Sequence, residues 1–162
     1  MRSVGLALRS LLFVALLQGV VVGYVPFRLA AGAHVRPSAA SILASVVVVA
    51  GIAILLLCVW DFFAVGRGTL APVDPPRRLV VRGLYRYTRN PMYNGVLLAL
   101  IGEAWLFRSA PILIYVAAVF AAVHLFVVLY EEPVLTRRFG DEYRAYRAAV
   151  PRWGATRHGY HV

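Results

Sequence analysis

Four apolar stretches separated by polar segments run along the chain, at residues 4–25, 41–63, 91–107 and 111–130. A helix needs about 20 apolar residues to cross a bilayer, and the four meet or approach that length. Only Arg108, Ser109 and Ala110 separate the last two, which predicts a tight hairpin of antiparallel helices. Gly66, Gly68, Pro72, Pro75 and Pro76 break the loop after the second stretch. Pro133 predicts an end or a kink just after the fourth. Beyond it, residues 139–152 read as a short amphipathic helix with Asp141 as N-cap and Pro151 as stop. Tyr143, Tyr146 and Val150 share one face of that helix, and the plain reading lays it on a membrane surface. The expected fold is an all-α integral membrane protein with about four transmembrane helices and a C-terminal cytoplasmic amphipathic helix. Residues 1–63 supply the N-terminal spans. Residues 64–162 supply loop, hairpin and tail of the same single domain. A rival reading makes the first stretch a cleaved signal peptide, with Arg2 in front and Ala31-Gly32-Ala33 as the cleavage site. The length of the run, and Tyr24, Pro26, Phe27 and Arg28 beyond it, favour a span.

Composition sharpens this picture. Hydrophobic residues make up 61% of the 162 and charged residues 15%, which argues against a disordered tail or a soluble globule. All 17 basic residues are Arg, and the net charge is +10. Apolar runs split them up, so Arg-rich loops facing lipid headgroups or an anionic cofactor fit better than a nucleic-acid surface. With four spans, 14 Arg fall on one side and Arg28, Arg36 and Arg108 on the other. The positive-inside rule then puts both termini in the cytoplasm. The all-Arg, Ala-rich composition points to a prokaryotic inner membrane. Cys58 stands alone, so no disulfide or Cys-based metal site can form within one chain. His34, His124, His158 and His161 show no metal spacing, and none of the common phosphate-loop or nucleophile motifs is present.

Candidate chemistry gathers in two places. Asn90-Pro91 reads as the N-cap and first residue of the third helix. Arg86 and Arg89 stand just before a helix N-terminus, a combination suited to a carboxylate or phosphate. Tyr85, Tyr87 and Tyr93 interleave with them, as interfacial aromatics also would. Glu131 and Glu132 close the fourth stretch, where a helix C-terminus disfavours negative charge. They are either neutralised by Arg or used to bind ribose hydroxyls or an ammonium group. Glu103 lies near the outer end of the third stretch, where snorkelling accounts for it. His124, mid-span, reads as a packed, hydrogen-bonded histidine.

The segment Gly83-Leu-Tyr-Arg-Tyr-Thr-Arg89-Asn90-Pro91-Met-Tyr93-Asn-Gly95 resembles a motif of isoprenylcysteine carboxyl methyltransferase-like membrane enzymes. Glu131-Glu132, Leu135, Phe139-Gly140, Tyr143, Tyr146 and Val150-Pro151-Arg152 resemble their second motif. The resemblance covers residues 77–153, and phospholipid N-methyltransferases are similar in this half. It implies S-adenosylmethionine-dependent methyl transfer to a hydrophobic or membrane-embedded acceptor: a carboxylate, a thiol or a lipid headgroup. It implies cofactor contacts at Tyr85, Arg89, Asn90, Tyr93, Gly95, Glu131 and Glu132. Tyr143, Tyr146 and Arg152 would form the substrate side or lid, with Arg89 and Arg152 as catalytic residues. The expected partners are the cofactor, an acceptor from the bilayer and membrane lipids, without metal or nucleic acid. Two departures stand out. Many members carry His where this chain has Asn90, and Trp153-Gly154-Ala155 replaces an apolar, Pro-containing run. The alternatives are an NADPH-dependent reductase of sterol-like or enone lipids and a non-enzymatic membrane subunit.

Overall fold

The computed structural model describes residues 16–65 and 79–160. The start of the first apolar stretch, the breaker-rich segment 66–78 with Arg67, Arg77 and Arg78, and His161 lie outside these residues. The described residues contain helices and no strand. We number the helices α1 (Leu16–Leu29), α2 (Ala39–Val65), α3 (Pro91–Leu106), α4 (Ala110–Phe126) and α5 (Glu132–Ala149). α1 contains a π-helical stretch, Gly19–Tyr24, and runs past the expected end of the first span.

Local chemistry sets the ends. α2 opens on a reciprocal capping box: the Ser41 amide donates to Ser38 Oγ (3.1 Å) and the Ser38 amide to Ser41 Oγ (2.9 Å). α4 opens on Ser109, whose hydroxyl accepts from the Ile112 amide at 3.4 Å. The hairpin between α3 and α4 turns in three residues because Arg108 adopts a left-handed φ of 50°.

The closest packing lies between α2 and α3. A Cβ on Gly51 would stand 2.5 Å from the Ala99 amide nitrogen, and one on Gly95 would stand 2.8 Å from the Gly51 carbonyl oxygen. A Cβ on Gly102 would meet the Val48 backbone at 2.8 Å. Small residues on both helices therefore let the backbones touch, as at many membrane helix contacts. Val22, Val96, Ala99, Leu100 and Val116 bury the centre between α1, α3 and α4.

Outward faces are equally apolar: Val49 on α2 is 64% exposed and Ile114 on α4 is 71% exposed. Two helices, Ala39–Asp61 and Ala110–Ala149, are long and apolar enough to cross a membrane. α3 has 16 residues, about 24 Å of helix. Four helices match the count expected from the apolar stretches.

The chain differs from expectation after the fourth stretch. It does not end or kink sharply at Pro133. A π-helical stretch, Val127–Glu131, carries α4 directly into α5. Pro133 cannot donate to a carbonyl four residues back, and the wider π turn just before it accommodates the missing bond. No free helix end therefore exists at Glu131 and Glu132, and the dipole argument against them falls away. The expected break appears further on, at Gly140, whose φ is 53°.

Candidate functional site

One end of the bundle gathers the end of α2, the start of α3 and the junction of α4 with α5. The segment 79–90 crosses this end, and a short 3₁₀ turn, Gly83–Arg86, places Tyr85. Tyr85 is buried beside Cys58 and Val80. Arg82 carries one exposed charge here, 3.9 Å from Asp61.

α5 folds back over the segment. Tyr143, Tyr146 and Val150 do share a face, but that face packs on Leu79, Val81, Leu135, Phe139 and Tyr160. It covers protein instead of lying on a membrane. The Tyr146 hydroxyl donates to the Tyr85 carbonyl at 2.6 Å.

Residues 151–160 then run along 86–90 like a strap. The Arg89 amide donates to the Pro151 carbonyl, the Thr156 amide to Tyr87 and the Tyr160 amide to Arg86, each at 2.9 Å. Asn90 stands at the N-cap position of α3, yet its side chain makes no cap hydrogen bond. Its Nδ2 donates instead to the Arg152 carbonyl at 3.1 Å, a partner 62 residues away.

A cavity of about 80 Å³ lies beneath the strap. Tyr85, Arg89 and Asn90 line it from the loop, Glu131 and Glu132 from the junction, and Tyr143 and Tyr146 from α5. Leu79, Val80, Val127 and Leu135 complete its wall. Leu135 belongs to the second motif; Val80 and Val127 carried no signal of their own in the sequence, because any buried position reads the same way.

The two glutamates have different surroundings. Glu132 is 5% exposed and is held by arginines. Arg152 donates to it through Nε (2.6 Å) and Nη2 (2.9 Å), and Arg89 donates through Nη1 at 2.8 Å. Arg147 stands 3.9 Å away. Burial works against the charge on Glu132. The Arg152 hydrogen bonds and the Arg89, Arg152 and Arg147 charges outweigh it and hold the carboxyl below its ordinary range. The same hydrogen bond raises Arg152 above its own.

Glu131 has no Arg partner among the described residues. It accepts only a long hydrogen bond, 3.4 Å, from the Tyr93 hydroxyl. Arg89 in turn keeps Nε buried without a hydrogen-bond partner among the described residues. Burial pushes the Tyr85 phenol well above its ordinary pKa, so it stays a neutral donor.

Seven of the sequence-derived candidates thus line one cavity. Tyr93 and Arg152 stand behind it, holding Glu131 and Glu132. Gly95 does not reach it: the absence of a side chain there serves the contact between α2 and α3. The sequence also missed a link between strap and bundle. Trp153 Nε1 donates to His124 Nδ1 at 3.0 Å, and Phe120 packs 5.4 Å from the indole ring.

The phospholipid methyltransferase family model matches residues 40–142, from the first turn of α2 to the middle of α5. The match includes Arg89, Asn90, Glu131 and Glu132 and ends just before Tyr143. No curated protein and no solved structure gives a significant match.

Proposed function

The chain belongs to the phospholipid methyltransferase family, and from that premise we propose that it transfers a methyl group from S-adenosylmethionine to a lipid headgroup at the cytoplasmic face of a membrane. The methyltransferase class and a lipid or membrane acceptor follow from the family. Cofactor, headgroup and sidedness are our reading. One observation supports it most: residues from both sequence motifs line a single cavity, in which two polar groups of opposite character lack strong partners. These are the Arg89 Nε donor and the Glu131 carboxylate.

That pair fits the amino-acid end of the cofactor. Its carboxylate suits Arg89, and its ammonium suits Glu131. Tyr85, Tyr143 and Tyr146 offer aromatic faces to a sulfonium. When bound, S-adenosylmethionine supplies a methyl group already activated for displacement. The chain then has to orient the two reactants and keep water out. Tyr143 and Tyr146, 2% and 3% exposed, close the side under the strap. Arg152 and Asn90 hold the strap down, and Arg152 acts there as a positioning residue.

The cavity is smaller than the roughly 300–1,000 Å³ usual for small-molecule sites, so the strap moves when the site fills. With four spans, 14 of the 17 Arg would fall on the side of this cavity, which agrees with a cofactor from the cytoplasm. The test is calorimetric titration of the detergent-purified chain with S-adenosylhomocysteine and with NADPH. Saturable binding of the first alone is expected. Binding of NADPH alone, or of neither, would overturn the proposal.

A further inference from the structure

The opposite end of the bundle carries a second cavity, of about 110 Å³. It lies between the turn after α1 and the hairpin joining α3 to α4. His34, Arg36 and Ser38 line it from the first side, and Trp105 and Arg108 from the second. Its volume is that of three to four waters at roughly 30 Å³ each, room for one phosphate group. Neither Arg36 nor Arg108 has a carboxylate within 4 Å among the described residues. The Ser38–Ser41 capping box already occupies the first turn of α2, so the positive field in the cavity comes from side chains.

Two further features bear on the occupant. The four-span reading gives this end Arg28, Arg36 and Arg108 alone, and two of the three meet at one cavity. Arg108 also sits at φ 50°, where Gly would be unstrained. Trp105, 43% exposed, borders the cavity and is a residue type of the headgroup layer.

We propose that this cavity binds the phosphodiester of an anionic bilayer lipid, on the face opposite the methyl-transfer site. Arg36 and Arg108 pair with the phosphate oxygens, His34 and Ser38 add hydrogen bonds, and Trp105 packs beside the glycerol. The proposal rests on the membrane placement of the bundle and not on the methyl-transfer reading.

The test uses the full chain in neutral detergent, titrated with short-chain phosphatidylglycerol, short-chain phosphatidylcholine and inorganic phosphate. Phosphatidylglycerol should bind saturably and raise the melting temperature, and phosphatidylcholine at equal concentration should not. Arg36→Gln and Arg108→Gly should each weaken phosphatidylglycerol binding about ten-fold, the loss expected for one charged hydrogen bond. Arg28→Gln, at the same end but off the cavity, should leave it unchanged. Arg108→Gly relieves the backbone, so without lipid it should melt no lower than the parent, which separates lost binding from unfolding. Equal affinities across the parent and all three variants would overturn the site. Inorganic phosphate binding as tightly as the lipid would overturn the lipid as its occupant.

Discussion

Glu132→Gln should destabilise the protein far more than Glu131→Gln, although the two residues are neighbours of the same type. Glu132 is 5% exposed and accepts three short hydrogen bonds from two arginines. The Arg89 side chain is only 10% exposed, so a neutral amide leaves a guanidinium charge buried without its counter-ion. Breaking a buried pair in this way costs about 3–5 kcal/mol. Gln can still accept one hydrogen bond, and Arg152 is 30% exposed and regains some hydration, so the lower end applies: about 3 kcal/mol. Arg147, 54% exposed and 3.9 Å away, adds almost nothing. Glu131 loses only a long hydrogen bond from Tyr93, which an amide oxygen can accept equally well. Its substitution should stay within about 0.5 kcal/mol.

The assay is thermal melting of each variant in one detergent, at roughly 2–4 °C per kcal/mol for a chain of this size. Adding Arg152→Gln to the parent and to Glu132→Gln completes a double-mutant cycle, with a coupling of about 1–3 kcal/mol expected. Equal melting of the two Gln variants, or a coupling near zero, would refute the assignment of Glu132 to structure.

For Glu131→Gln, the S-adenosylhomocysteine affinity should fall about ten-fold at unchanged stability, since one charged hydrogen bond is lost; calorimetry decides. At Asn90, His should bind like Asn, Ser more weakly and Asp weakest, because the side chain donates to the Arg152 carbonyl and an ionised Asp cannot donate; equal affinities would remove Asn90 from the site. Acid should narrow the stability gap between the parent and Glu132→Gln, because the parent loses its ion pairs while the variant has none to lose. The unfolded carboxyl titrates near 4.3 and the folded one below it, so the ion pairs contribute fully above about pH 4.3 and are lost as pH falls through the folded value; a gap that stays constant as the pH falls would contradict this. Gly51→Ala should cost about 1–3 kcal/mol by forcing α2 from α3, whereas Gly23→Ala, with open space around it, should cost nothing. Fusions at the C-terminus and between Arg28 and Arg36 should report opposite sides of the membrane; the same side for both would reject the four-span topology.

The helices were legible because each apolar stretch is about as long as a bilayer is thick, and the hairpin because three residues permit no other connection. The residues around the cavity were legible as two local motifs. Their partners were not, since a partner is set by tertiary contact. Asn90 before Pro91 has the form of a cap, and only the strap shows that its amide is used elsewhere. Tyr143, Tyr146 and Val150 form a stripe in any helix, and the stripe does not say whether lipid or Leu79 and Val81 will cover it. Gly95 looked like part of the motif because the motif overlaps the first turns of α3, where Gly51 demands a residue without a side chain. Pro133 reads as a stop under an α-helical rule, but a π turn meets its requirement without ending the helix. Trp153 and His124 are 29 residues apart, and neither has a local reason to need the other.

The difference between the glutamates bears on what the cavity can recognise. Three arginines surround Glu132, so its charge is spent within the protein and offers little to a ligand. Glu131, one residue earlier and across the π turn, lacks such partners. Arg89 splits in the same manner: Nη1 is committed to Glu132 while Nε has no acceptor among the described residues. The wall therefore presents one unmatched acceptor and one unmatched donor among tyrosines and aliphatic side chains. A zwitterionic α-amino acid end satisfies both together and adds no net charge to a buried site. A phosphate would satisfy Arg89 and leave Glu131 without a cation, and that unmatched acceptor is the physical ground for preferring S-adenosylmethionine to a nicotinamide dinucleotide here.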